Sequence, residues 1–188
     1  MVKRNACVFI SGDGTNLKNL IRRSRDYYFP ITIKLVVCNN PKAKGINLAK
    51  KYSIPHIIID TKLRNFENYI LKNLRKYKIS VICLAGYMKI ISKNFIRSYR
   101  KKIINIHPSL LPKFKGLNTF SRVLKKKEIK TGCTVHYVNE KLDAGRIISQ
   151  KSFYILPDFN EKDVKDRTQK LEYLAYPEAI LKIFRISS

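Results

Sequence analysis

Ala6-Cys7-Val8-Phe9-Ile10-Ser11-Gly12-Asp13-Gly14-Thr15-Asn16 passes from a continuous apolar run of strand length into a small, polar, glycine-containing turn. Leu17, Leu20 and Ile21 follow at the spacing of one helix face. The stretch therefore reads as strand, glycine turn and helix, the opening of a βαβ unit.

Outward from there the alternation continues. Ile33-Lys34-Leu35-Val36-Val37-Cys38 supplies a second apolar run before the turn Asn39-Asn40-Pro41. A helical stretch around 45–52, a short apolar run at 55–59, an amphipathic segment at 65–77 and the run 79–85 follow. This period predicts an α/β fold, Rossmann-like, with a mostly parallel, doubly wound sheet and helices on both faces. After Ile103-Ile104-Asn105-Ile106 a proline-bounded loop intervenes. Residues 131–138 then alternate Cys133, Val135 and Tyr137 with Thr134, His136 and Val138, so mixed or antiparallel strands are expected in the second half. Between Glu161 and Phe184, Val164, Leu171, Leu174 and Ala175 form a helical stripe, which Pro177 is expected to kink or interrupt.

At 188 residues and 45% hydrophobic, the chain has the size of one domain with a sizeable core. No run approaches the roughly 18 apolar residues that span a bilayer, and the start lacks a small-residue cleavage site. A soluble, unsecreted, cytoplasmic protein is expected, with no membrane partner. Cys7, Cys38, Cys83 and Cys133 are far apart and form no Cys-x-x-Cys pair, which points to a reducing compartment and to no metal site. The net charge of +26 suggests a polyanion partner, but the lysines are scattered, with only short runs such as Lys125-Lys126-Lys127. A biased surface with small anionic ligands is the preferred reading, and nucleic acid is not expected as a partner.

Three constellations carry candidate chemistry. The turn Ser11 to Asn16 lets backbone N–H groups approach an anion at a helix start, and phosphate is the natural guest. A tight turn with Thr15 as N-cap explains the same letters, and the residues alone leave both readings open. In Asn105-Ile106-His107-Pro108-Ser109-Leu110-Leu111-Pro112, Asn105 and His107 lie two apart, so an extended chain points both to one face. An amide donor beside an imidazole suits acyl transfer, where an oxyanion needs a donor and an amine must lose a proton. Taken alone, the pair fits a histidine satisfied in a turn somewhat better. Leu142-Asp143-Ala144-Gly145 could set a carboxylate against His107, or be an ordinary turn. Gln169 and Glu172, three apart, share a helix face that reads more readily as solvated. Leu84 to Ile91 follows a strand's carboxyl end, where open sheets bind ligands, though such a segment is more often core.

Together and in order, these motifs resemble the glycinamide ribonucleotide formyltransferases, folate-dependent enzymes of purine synthesis, over essentially the whole chain. The similarity rests on Ile10-Ser11-Gly12-Asp13-Gly14-Thr15-Asn16-Leu17, Leu84-Ala85-Gly86-Tyr87-Met88-Lys89-Ile90 and Asn105 to Pro112. It extends through Lys113-Phe114-Lys115-Gly116-Leu117-Asn118, Gly132-Cys133-Thr134-Val135-His136-Tyr137-Val138 and Leu142-Asp143-Ala144-Gly145.

The resemblance implies transfer of a formyl group from 10-formyltetrahydrofolate, a cosubstrate, to the amino group of glycinamide ribonucleotide, without a metal. It implies that Asn105 and an imidazolium at His107 stabilise the oxyanion, and that Asp143 supports His107 and moves the amine's proton through water. The nucleotide would meet Gly14, Thr15, Asn16, Gln169 and Glu172. The folate would meet Tyr87, Met88, Lys89, Ile90, Ile91, Asn105, Val138 and Asp143, with Lys89 favouring an anionic tail. It also implies one formyltransferase domain over 1–188, with a nucleotide-binding half at 1–100 and a catalytic, folate-binding half at 101–188, as a monomer or homodimer.

Asp13 stands where the family more often has asparagine, and its side chain is expected to face away from the phosphate and cap the turn. Lys115 stands where some relatives have proline. Relatives with other acceptors share the Asn, His and Asp set, so formyltetrahydrofolate hydrolase and methionyl-tRNA formyltransferase are the competing enzymes. The first would need a regulatory domain before residue 6, the second a tRNA-binding domain after Phe184, and neither is expected. A basic nucleic-acid-binding module on the same scaffold is the non-enzymatic alternative.

Overall fold

The computed structural model describes residues 2–184. The chain's internal contacts fall into two compact units, Met1–Ile104 and Asn105–Ser188. Seven strands follow the order β3-β2-β1-β4-β5-β6-β7.

The first unit alternates β1 (Arg4–Ile10), α1 (Thr15–Ser24), β2 (Ile31–Cys38), α2 (Gly45–Lys51), β3 (His56–Ile58), α3 (Phe66–Lys76), β4 (Val81–Leu84) and α4 (Lys93–Tyr99). β1 pairs in parallel with both β2 and β4, and β2 with β3. Ala6 through Ile10 are wholly buried, which is why this strand is apolar at every position instead of at alternate ones.

Gly14, at φ +74°, is the residue that caps α1; Thr15, the N-cap in one of the two readings of the turn, is already helical. Glycine adopts this left-handed backbone at little steric cost. A Cβ on Gly14 would also lie 2.8 Å from the Gly45 Cα, so the turn and the start of α2 touch backbone to backbone. α4 went unanticipated; it starts where Ser92 Oγ accepts from Phe95 N–H at 3.0 Å.

β5 (Lys102–His107) leads into the second unit, followed by α5 (Thr119–Lys125), β6 (Lys130–Tyr137), β7 (Ile147–Tyr154) and α6 (Glu161–Phe184). β6 and β7 are antiparallel, Gly132 facing Ser152 and Val135 facing Ser149. A Cβ on Gly132 would fall 1.9 Å from the Lys151 carbonyl oxygen, so the ladder closes only over glycine.

α6 continues through Pro177 without interruption. Its buried stripe is Val164, Thr168, Ala175, Tyr176, Ala179 and Ile180, whereas Leu174, expected inside, is 53% exposed. The stripe turns with the 3.6-residue period, and a helix of 24 residues holding a buried proline carries its buried face away from position 174.

Candidate active site

In the first unit the chain builds outward from β1 to β2 and β3, then returns to place β4 on β1's other side. This reversal makes the carboxyl ends of β1 and β4 a switch point, where open α/β sheets bind ligands. The Ser11–Asn16 turn and the Ala85–Ile91 segment both leave from it. Ser11 ties them together: its N–H donates to Gly86 O at 3.1 Å, and its Oγ accepts from Met88 N–H at 2.7 Å while donating to Asn39 Oδ1 at 2.5 Å. Asn40 Nδ2 donates to Ser11 O at 3.0 Å.

The turn delivers the N-terminus of a ten-residue helix, the positive end of its dipole. Asp13 faces solvent, its carboxylate 3.8 Å from the Lys44 ammonium, and so points away from the turn without capping it. Gly14, Thr15 and Asn16 stand at the helix start as expected. In the neighbouring segment Tyr87 packs edge-on against Phe9, ring centroids 5.2 Å apart. Burial pushes its hydroxyl pKa up to about 12, with Glu67 and Cys38 adding to the shift. Met88 and Ile90 are 70% and 71% exposed, an apolar pair flanking the exposed Lys89, and Ile91 is half-buried.

In the second unit Asn105 and His107 sit two apart on β5, and both reach one buried cluster. His107 Nδ1 lies 3.3 Å from Asp143 Oδ2, and His107 Nε2 lies 2.8 Å from the Phe114 carbonyl oxygen. Asn105 Nδ2 lies 3.3 Å from His136 Nε2, which in turn is 3.6 Å from Asp143 Oδ1. The structure thus brings Asn105, His107 and Asp143 together. It adds His136, which sequence reasoning placed only on a strand face with Thr134. The alternation along β6 held the signal, since a histidine inward between apolar neighbours needs polar partners.

The loops around the cluster are held by their own hydrogen bonds. Thr134 Oγ1 donates to Ser109 O at 2.6 Å and accepts from Leu111 N–H at 3.0 Å and from Gln150 Nε2 at 2.9 Å. Arg122 donates to Lys115 O at 2.6 Å, wrapping the 113–118 segment whose Phe114 carbonyl meets His107. Gly116 N–H donates to Asp143 Oδ2 at 2.9 Å. Asp143 itself adopts φ +45°, a left-handed backbone that aspartate tolerates better than most residues. Lys141 N–H on Asn139 Oδ1 and Asn139 Nδ2 on Ala144 O pin the turn that imposes it.

Burial pulls the His107 imidazole below its ordinary pKa; the Phe114 carbonyl and the Asp143 carboxylate resist without prevailing. Burial pushes Asp143 up, but polar contact from His136, the Gly116 N–H and the nearby imidazoles outweigh it and hold the carboxyl below its usual range. The cluster is therefore a buried carboxylate beside two imidazoles and an amide. It can orient donors toward a carbonyl oxygen and accept protons.

Gln169 and Glu172 lie half-buried on α6, and the Glu172 charge reaches Cys133. Val138 is half-buried just past β6. Among the described residues no group of three or more His, Cys, Asp or Glu could hold a metal ion. No helix among them is long and apolar enough to cross a membrane.

Residues 4–180 match the formyl transferase family. The chain belongs to the formyl transferase family. It is 38% identical over 184 residues to the trifunctional purine biosynthetic protein adenosine-3 of Drosophila melanogaster, covering 95% of this chain but only 14% of that protein's length. It is likewise 38% identical over 183 residues to a phosphoribosylglycinamide formyltransferase of Haemophilus influenzae, covering 94% of this chain and 85% of that one. Among solved structures, the phosphoribosylglycinamide formyltransferase of Bacillus halodurans superposes with a TM-score of 0.94 at 30% identity, covering 98% and 97% of the two chains. An open α/β sheet carries the cluster, on β5, β6 and the loops that follow them.

Proposed function

We propose that this chain transfers the formyl group of 10-formyltetrahydrofolate to the amino group of glycinamide ribonucleotide, a step in purine synthesis. The observation that carries this reading is the convergence of Asn105 with the buried His107 and Asp143 in a member of the formyl transferase family. The names of the relatives support the acceptor.

In the reaction the amine nitrogen attacks the formyl carbon, and the carbonyl's electron pair moves onto oxygen. Asn105 donates an N–H to that oxyanion, and His107 stabilises it as imidazolium. Burial keeps the resting imidazole neutral, so a second proton becomes favourable as negative charge develops beside it. Asp143, ionised and buried, supports the imidazolium and accepts the amine's proton through water. The bond between carbon and the folate nitrogen then breaks as the carbonyl re-forms, that nitrogen taking the proton the amine gave up, returned from Asp143 through water. In the structure His107 Nε2 is held by the Phe114 carbonyl, so donation to the oxyanion requires the 113–118 segment to give way.

The same reading assigns the nucleotide's phosphate to the helix start at Gly14, Thr15 and Asn16, and ribonucleotide contacts to Gln169 and Glu172. It assigns folate contacts to Tyr87, Met88, Lys89, Ile90 and Ile91 in the first unit, and to Asn105, Val138 and Asp143 in the second. Exposed Met88 and Ile90 offer apolar surface, and Lys89 a cation for the anionic tail. No resident metal is called on, the site of action is the cytoplasm, and the enzyme works as a monomer or homodimer. The test is consumption of 10-formyltetrahydrofolate by the purified protein, expected only when glycinamide ribonucleotide is present. Equal turnover without the nucleotide would replace this reading with a hydrolase, and formylation of methionyl-tRNA in its place with the tRNA enzyme.

A further inference from the structure

We infer that His136 is a positioning residue that fixes the amide of Asn105 so that one of its two N–H bonds is directed to the formyl oxygen. The role rests on the formyl-transfer reading above; the contact itself does not.

The reasoning is one of proton inventory. His136 is 2% exposed, so each ring nitrogen must find its partner inside the protein. Nδ1 lies 2.9 Å from the Tyr137 carbonyl oxygen, which can only accept, so Nδ1 carries the proton. In the neutral ring Nε2 is then a bare lone pair. Its neighbours are Asn105 Nδ2 at 3.3 Å and Asp143 Oδ1 at 3.6 Å. The amide nitrogen is within hydrogen-bond reach and can donate; the carboxylate oxygen is beyond it.

An asparagine amide can be turned over with little change in shape, exchanging donor for acceptor. A lone pair at His136 Nε2 removes that freedom, because the reversed amide would set oxygen against nitrogen lone pair. One N–H of Asn105 is thereby spent on His136, and the other remains a donor in a defined direction. An oxyanion donor needs this, since an amide free to flip would present its own oxygen to the developing negative charge. Asp143 Oδ2 faces His107 Nδ1 and the Gly116 N–H.

The ring protonation is read first, by long-range ¹⁵N–¹H correlation on the wild type without substrate. A proton on His136 Nδ1 and a bare Nε2 are expected; a proton on Nε2 at neutral pH overturns the inference. Kinetics follow. His136→Leu, which keeps bulk and loses the acceptor, is expected to lower kcat on the order of 10- to 100-fold, the usual result of misplacing a catalytic group. KM for both substrates should hold within about twofold, and His136→Gln, whose side-chain oxygen can accept from Asn105, should recover part of the loss. In an Asn105→Ala background the Leu substitution should cost no more than about a further twofold. Fully additive losses, or a His136→Leu enzyme with wild-type kcat, would overturn the positioning role. If the wild type shows the expected tautomer yet forms no formylated nucleotide, the proposed function fails, the positioning role falls with it and the contact stands.

Discussion

Gly145→Ala offers the sharpest test of how Asp143 is held. The backbone at Gly145 passes so near Tyr137 that an added Cβ would lie 1.7 Å from the Tyr137 carbonyl oxygen and 2.7 Å from its carbon. Cβ atoms do not approach other heavy atoms closer than 3.0 Å, so one strand of this turn must retreat by about 1.3 Å, the difference between the two distances. β6 cannot supply the movement easily, because it is buried on both faces and laddered to β7. The displacement therefore falls on the 139–146 turn, which carries Asp143 two residues from the clash.

Moving Asp143 by such a distance stretches its 3.3 Å contact with His107 and its 2.9 Å bond from Gly116 N–H beyond hydrogen-bond range. Misplacement of a catalytic group by an ångström costs about 100-fold in turnover, and overpacking of this kind costs about 1–3 kcal/mol in stability. Steady-state transfer to glycinamide ribonucleotide and a thermal melt read the two effects separately. A variant within about twofold of wild-type kcat would refute the claim that this turn positions the carboxylate, whatever its stability.

Gly132→Ala places a Cβ 1.9 Å from the Lys151 carbonyl and should lower the melting temperature by roughly 2–12 °C; an unchanged melt would mean that β6 and β7 part more readily than their register suggests. Because burial holds His107 below its ordinary pKa, the unfolded chain binds a proton that the folded one refuses. Stability should fall as pH drops below about 6.5, by at most about 1.4 kcal/mol per pH unit, and His107→Asn should flatten this slope in urea titrations. All four cysteines are buried, with burial raising the thiols of Cys7, Cys38 and Cys133, the last to about 12; a colorimetric thiol reagent should react slowly with native protein and at four sites after denaturation.

The elements legible in the sequence are those whose burial leaves a one-dimensional trace. β1, β2 and β4 are covered on both faces and read as apolar runs, and the turn at 11–16 announces itself by its glycines. β7 left no such trace: its pattern Ile147-Ile148-Ser149-Gln150-Lys151-Ser152-Phe153-Tyr154 mixes exposed and buried positions as the terminal strand of the sheet order. α4 and α5 each bury only two residues, Phe95 and Tyr99 in the first and Thr119 and Val123 in the second, so no apolar stripe stands out. At the site, β-strand spacing predicted that Asn105 and His107 share a face. The partners of His136 come from β5, from the turn at Asp143 and from its own neighbour's carbonyl, and no local window contains them.

Charge and chemistry occupy different places in this protein. Residues 1–104 hold 23 lysines and arginines against 4 acidic residues, while 105–188 hold 16 against 9, so the positive excess is concentrated on the unit that carries the proposed phosphate turn. Lysines spread over a surface act through water and salt, and beyond a Debye length of about 8 Å their field is largely screened. They can speed encounter with an anionic nucleotide or folate, but they cannot set the direction of a proton. That falls to the cluster in which His107, His136 and Asp143 are each at most 9% exposed and each contact is a named short distance. An effective dielectric well below that of water makes those few contacts worth more to the transition state than the surface charge.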